Sequence, residues 1–161
     1  MLTLKEQVLS LDNSIFIQAE ATPQDIQRVL KAIGGFQTTD DINGIKGMIA
    51  EGVSLGIFFP PLGDGPARDA GISINFDLFF DNSDSAFLFE WTLNTVRAVV
   101  ALLHAFPGDL LFMYCSDWPA LLRKAGRIIL DRDADLWDEG VEPDVLSLID
   151  LPYEWGHIPR S

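Results

Sequence analysis

Cysteine and histidine are scarce enough in this chain to be read one by one. There is one cysteine, Cys115, and there are two histidines, His104 and His157. A thiol nucleophile needs a base within hydrogen-bond reach and a depressed pKa. Cys115 follows an apolar run, residues 110–114, with no cation beside it. His104 falls in the last turn of an expected helix, where an imidazole can satisfy terminal carbonyls. Both are read as structural. Zinc needs several nitrogen or sulfur ligands at close spacing. One cysteine and two histidines without a His-x-x-x-His repeat do not supply them.

The acids are more suggestive. Asp131, Asp133 and Asp135 stand at positions 1, 3 and 5 of a calcium-type loop, with Glu142 at position 12. Position 6, where the sharp turn demands glycine, is Leu136. The run also follows an expected hairpin rather than a helix. Micromolar calcium is therefore expected to leave the melting temperature unchanged, and a rise of several degrees would contradict this. No Gly-Lys-Ser/Thr accompanies Gly63-Asp64-Gly65-Pro66, so no phosphate loop is read. Among the 24 acidic residues nothing singles out a pair beside an apolar wall, as acid–base hydrolysis would need. No catalytic, cofactor or metal residue is assigned.

Charge is the stronger signal. Eleven Lys and Arg against 24 Asp and Glu give a net charge of −13 over 161 residues. Such a surface repels nucleic acid and anionic membrane and attracts basic partners. The bias concentrates in residues 131–154, where nine acids meet one base, Arg132. Trp137, Tyr153 and Trp155 are interleaved with them, and aromatics dominate binding hot spots. The candidate partner-binding residues are Asp131, Asp133, Asp135, Trp137, Asp138, Glu139 and Glu142. The competing reading is a solvated acidic face whose aromatics pack inward. One cysteine permits no internal disulfide, no leader-like start is seen, and no run reaches the ~20 apolar residues of a membrane span. The expectation is a cytoplasmic protein.

The elements that must carry these residues follow from periodicity. The first 12 residues read as a lead-in, and residues 14–20 as a short strand. Thr22-Pro23-Gln24-Asp25 is a helix start, with Thr22 as cap and Asp25 answering it. Ile26, Val29, Leu30 and Ile33 form the apolar face, and Gly34-Gly35 ends the helix. Residues 36–44 read as a polar loop. Strand character runs from Ile45 through Val53, Leu55 and Ile57 until Pro60-Pro61. Residues 62–70 read as a loop. Ile72, Ile74, Phe76, Leu78 and Phe80 alternate as a strand with one packed and one mostly wet face. Asp81-Asn82-Ser83-Asp84 would cap a long helix with a Phe89, Leu93, Val96, Val100, Leu103 stripe, widened by Leu88, Trp91, Val99, Leu102 and Phe106. Pro107-Gly108 ends it. Residues 110–114 and a meander over 120–130 complete a sheet. The tail is expected to be irregular, with one short helix near residues 145–149.

The result is a single two-layer α+β domain, an antiparallel β-sheet covered by two main helices in the order β-α-β-β-α-β-β-β. Residues 131–161 would form an acidic C-terminal extension packed on the body.

From about Gly71 to Trp137 the chain resembles the immunity proteins of bacterial polymorphic toxins, in particular the myxobacterial swarming-inhibition type. The alternating strand at 72–80 carries the resemblance, with the helix ending Ala101-Leu102-Leu103-His104-Ala105-Phe106-Pro107-Gly108-Asp109. The strands of residues 110–124 and the hairpin and acidic-aromatic stretch of residues 126–137 follow in the same order, and the β-α unit near residues 22–33 also fits. The resemblance implies a small cytoplasmic protein of interbacterial competition that binds and neutralises one cognate toxin. It carries over no catalytic residue. The charge makes a basic toxin, such as a nuclease, the best-fitting partner. The other readings are a non-enzymatic adaptor or structural binding module and, third, a small carboxylate-dependent hydrolase.

Overall fold

The computed structural model describes residues 12–82 and 87–160. The expected lead-in before Asp12, and the caps expected at Ser83 and Asp84, lie outside them. The elements are β1 (Asp12–Ile17), α1 (Pro23–Ala32), β2 (Gln37–Ile42), β3 (Ile45–Ala50), β4 (Val53–Phe58), the short α2 (Gly65–Asp69), β5 (Phe76–Asp81), α3 (Leu88–Ala105), β6 (Leu110–Tyr114), β7 (Trp118–Lys124), β8 (Arg127–Asp131) and β9 (Glu154–Gly156). Short 3-10 turns lie at Asp135–Trp137 and Leu146–Leu148.

The fold is α+β. Nine strands form one sheet in the order β2-β3-β4-β5-β1-β6-β7-β8-β9. Every pairing is antiparallel except β8 with β9. Strands joined by tight turns pair with their sequence neighbours. The first strand enters the middle of the sheet, between β5 and β6.

Side-chain alternation assigns the faces. Ile15, Ile17, Leu78, Phe80, Phe112, Leu121 and Leu130 pack beneath α1 and α3 with Ile26, Leu30, Trp91, Val99 and Leu102. The intervening residues of the central strands, expected to be mostly wet, are buried instead. Phe16, Leu111, Met113 and Leu122 build a second, smaller core with Ala67, Ala70, Ile72 and Ile158. The segment around α2 and the C-terminal residues lie over that face, so two layers become three over the centre of the sheet.

Capping is as the sequence reads. The Thr22 hydroxyl accepts from the Asp25 amide at 3.2 Å and the Asp25 carboxylate from the Thr22 amide at 2.8 Å, a reciprocal capping box. The helix stripe differs from the expected one. Val96 and Leu103 are buried as expected, with Trp91, Val99 and Leu102 beside them, but Phe89 is exposed, Leu93 and Val100 are half-buried, and Thr95 and Ala98 join the buried face. Polar residues on α3 explain the rotation. Thr95 accepts from the Asn13 side chain at 3.1 Å and donates to the Trp91 carbonyl at 2.7 Å. Asn94 grips the Glu51 carbonyl in the β3–β4 turn, and Arg97 donates to the Ile33 and Gly34 carbonyls that end α1. Residues counted as polar thus face inward because each has a backbone partner.

The Pro107-Gly108-Asp109 connection is a junction of three elements. The Gln18 amide donates to the Asp109 carbonyl at 2.9 Å, and the Asp109 carboxylate accepts from the Ala125 amide at 3.0 Å. A side chain at position 108 would have its Cβ on the Gln18 carbonyl oxygen, so the backbone just after β1 leaves room only for glycine. Gly108→Ala is expected to cost about 2–3 kcal/mol, in line with forced overpacking. Urea unfolding checks this, and a loss within experimental error would contradict the close approach.

Candidate partner-binding surface

The catalytic pairing weighed from sequence is not assembled. His104 closes α3, which leads directly into β6, while Cys115 follows the far end of β6. The Cys115 amide donates to Asn13 at 2.9 Å, and burial pushes its thiol up to about 11, away from a thiolate. His104 does not bind the helix-terminal carbonyls. Its Nε2 lies 2.7 Å from Asp150, whose carboxyl that hydrogen bond holds below the usual range. The carbonyls go to Arg123, buried at 6 % exposure, which donates to those of Leu103, Phe106 and Gly108.

The candidate residues divide by orientation. Asp131 is buried, accepting from the Asp133 amide and from the Ile158 amide, both at 2.9 Å. It pins the C-terminal segment to β8. Trp137 is 2 % exposed. Its indole donates to the Ala120 carbonyl at 2.9 Å and meets Phe112 edge-on. It anchors the acidic segment to the core and presents no surface to a partner. Asp133, Asp135, Asp138, Glu139 and Glu142 are exposed.

Sequence reasoning missed what brings the remaining aromatics to this region. β9 adds to the edge of β8 through Leu130 and Trp155, and Arg127 pairs with Glu154 on its outer side. Three residues are too few for a periodic signal. Tyr153 and Trp155 are 37 % and 41 % exposed and pack edge to face at 5.8 Å. With Asp138, Glu139, Glu142 and Asp144 they border an open groove of ≈ 890 Å³. A separate apolar groove between α1 and α3 is lined by Val29, Ile33, Val100, Ala101 and Leu148.

His157 reaches Asp133 at 3.2 Å, and with Asp131 the three offer ligand atoms within 4.8 Å of one another. Neither sequence spacing nor the calcium-loop pattern places His157 there. The Asp131 oxygens already accept backbone N–H groups, which gives this carboxylate a structural role.

Asp77 is the most perturbed carboxyl in the described sheet. It is 5 % exposed, opposite Phe16 and Phe58, and one of its oxygens has no partner among the described residues. Burial pushes it up to about 6, with Asp12 adding to the rise and the Leu62 amide opposing it. An acid that titrates higher when folded stabilises the fold below its unfolded pKa and loses that contribution as pH rises through about 6. Asp77→Asn is expected to raise stability at pH 7 by about 1–2 kcal/mol, with the gain disappearing below about pH 4. Urea unfolding across that range is the check, and destabilisation at every pH would contradict it.

A mostly antiparallel sheet with a helical face, an acidic aromatic groove and internally satisfied polar clasps defines the class, an α+β domain whose prominent exposed feature is a surface. The chain belongs to the SitI3-like family, whose model matches residues 13–140. That membership is consistent with a toxin-immunity family and suggests a non-enzymatic role. The match takes in β1 through the acidic turn at Asp138 and Glu139, and stops before β9. Among curated proteins and among solved structures nothing matches. No helix among the described residues is long and apolar enough to cross a membrane.

Proposed function

We propose that this protein is an immunity protein that neutralises one cognate bacterial toxin by stoichiometric binding, without turnover. The single observation that carries the proposal is membership of the SitI3-like family across β1 to β8, both main helices and the first acidic turn. The net charge of −13 supports a basic partner, and a nuclease with a cationic substrate cleft has that character. Asp133, Asp135, Asp138, Glu139 and Glu142 are the acids placed to steer and hold it. Blockade is steric and assisted by charge. The site of action is the cytoplasm, where the toxin would act. Co-expression with the adjacent reading frame tests the proposal. Rescue of growth and co-purification of the two proteins are expected, and a neighbour that is harmless or never captured would refute it.

A non-enzymatic adaptor is the second reading. The apolar α1–α3 groove favours it, since such a groove accepts a helix without regard to charge.

A further inference from the structure

We infer that the groove between the loop of residues 138–147 and β9 receives an arginine side chain presented by the partner protein. The inference rests on the toxin-binding reading and adds the chemistry by which the surface recognises its target. Four carboxylates, of Asp138, Glu139, Glu142 and Asp144, line the groove, and Arg132 is the one cation among its lining residues. An anionic ligand is repelled there, and a cation is drawn in. The exposed faces of Tyr153 and Trp155 set the second requirement. A side chain that satisfies both must carry charge and also stack on an aromatic ring.

Guanidinium meets both conditions better than ammonium. It is planar and weakly hydrated, stacks on indole, and offers a fork of donors to carboxylates. The same chain already makes this contact elsewhere, with the Arg160 guanidinium 4.1 Å above the Trp118 ring. Glu154, next to both aromatics, is taken by Arg127, and Asp144 accepts from the Ser147 amide at 3.4 Å, which leaves Asp138, Glu139 and Glu142 as the main acids for the incoming group. An aromatic contact flanked by carboxylates also explains why Tyr153 and Trp155 stay at the surface while Trp137 turns inward.

The test titrates the full isotope-labelled chain with nonapeptides of alternating Arg and Gly, Lys and Gly, or Glu and Gly, following the Trp155 indole N–H by NMR. The Arg peptide is expected to shift it saturably, roughly fivefold more tightly than the Lys peptide, and the Glu peptide not at all. Trp155→Ala and the double change Glu139→Gln, Glu142→Gln should each abolish the response in the remaining groove residues without altering spectral dispersion. No shift at Trp155, or equal binding of Arg and Lys peptides, overturns the inference. So does a response centred on the α1–α3 groove. The toxin arm separates the two levels. If the protein from the adjacent gene co-purifies but Trp155→Ala leaves its affinity within about twofold, this groove is not the recognition site and the immunity reading stands. If the neighbour is never captured, the immunity reading fails whatever the peptides do.

Discussion

Reversing Asp133, Asp135, Asp138 and Glu139 to Lys is expected to slow association with the cognate toxin by roughly ten- to a hundredfold at low ionic strength. The four side chains are exposed, so the changes remove no core contact. Each reversal adds two positive charges, which moves the net charge from −13 to −5. The field that steers a basic partner weakens most where the reversals cluster, beside the aromatic groove. Dissociation should change less than association, because rim charges act mainly on encounter. The difference from the native chain should shrink as salt rises, since a Debye length of about 8 Å at physiological ionic strength screens exposed charges. Stopped-flow association across a salt series measures both effects. An unchanged on-rate at low salt would remove this segment from the interface.

Arg123→Ala is expected to cost about 3–4 kcal/mol, the largest loss for any single truncation outside the apolar core. The guanidinium is the common donor for the carbonyls of Leu103, Phe106 and Gly108, where α3 hands over to β6. Burial lowers its pKa, with Asp109 acting in the opposite direction, yet it stays within a carbonyl cage that suits a cation. Removing it leaves buried acceptors without donors, the expensive side of hydrogen-bond accounting. Lysine offers no fork and should recover only part of the loss. Against a typical stability of about 5–15 kcal/mol the effect should be plain in urea unfolding. A cost below about 1 kcal/mol would mean that water replaces the guanidinium at these carbonyls.

The same residues show which parts of the molecule a sequence makes legible. The Thr22 and Asp25 capping box was readable because its partners lie three residues apart. The turn at Pro107-Gly108 was readable as an end, but its reason was not. That reason is the backbone of Gln18 and the side chain of Arg123, brought there by tertiary pairing. From sequence, β2 reads as a loop because Thr38, Thr39, Asp40 and Asp41 carry no apolar alternation. An edge strand with both faces near water needs none, since the ladder to β3 is made by the backbone. α2 was likewise hidden in a Gly- and Pro-rich segment, although Ala67 at its centre is fully buried. The strand expected from Ile72 begins only at Phe76. Ile72 instead joins the second core, and the Asn75 side chain takes both the amide and the carbonyl of Ala19.

For the binding surface, composition located the acids but not their orientation. Asp131 and Trp137 look like their neighbours in sequence, yet one latches Ile158 and the other fills the core beneath β7. What separates them from exposed Asp138 and Glu139 is the tertiary partner each side chain finds, the Ile158 amide for Asp131 and the Ala120 carbonyl for Trp137, which no local pattern encodes. The tail's expected short helix does appear, as the 3-10 turn Leu146–Leu148, because Val145 and Ile149 on either side are drawn into the core.

Calorimetric titration of this protein with the product of the adjacent reading frame, the proposed toxin, tests the central claim most directly. Saturation near one equivalent, with intact and fully active toxin recovered after dissociation in high salt, is the predicted result. Toxin inactivated by far less than one equivalent, or chemically altered after recovery, would show turnover and contradict an account built on binding alone.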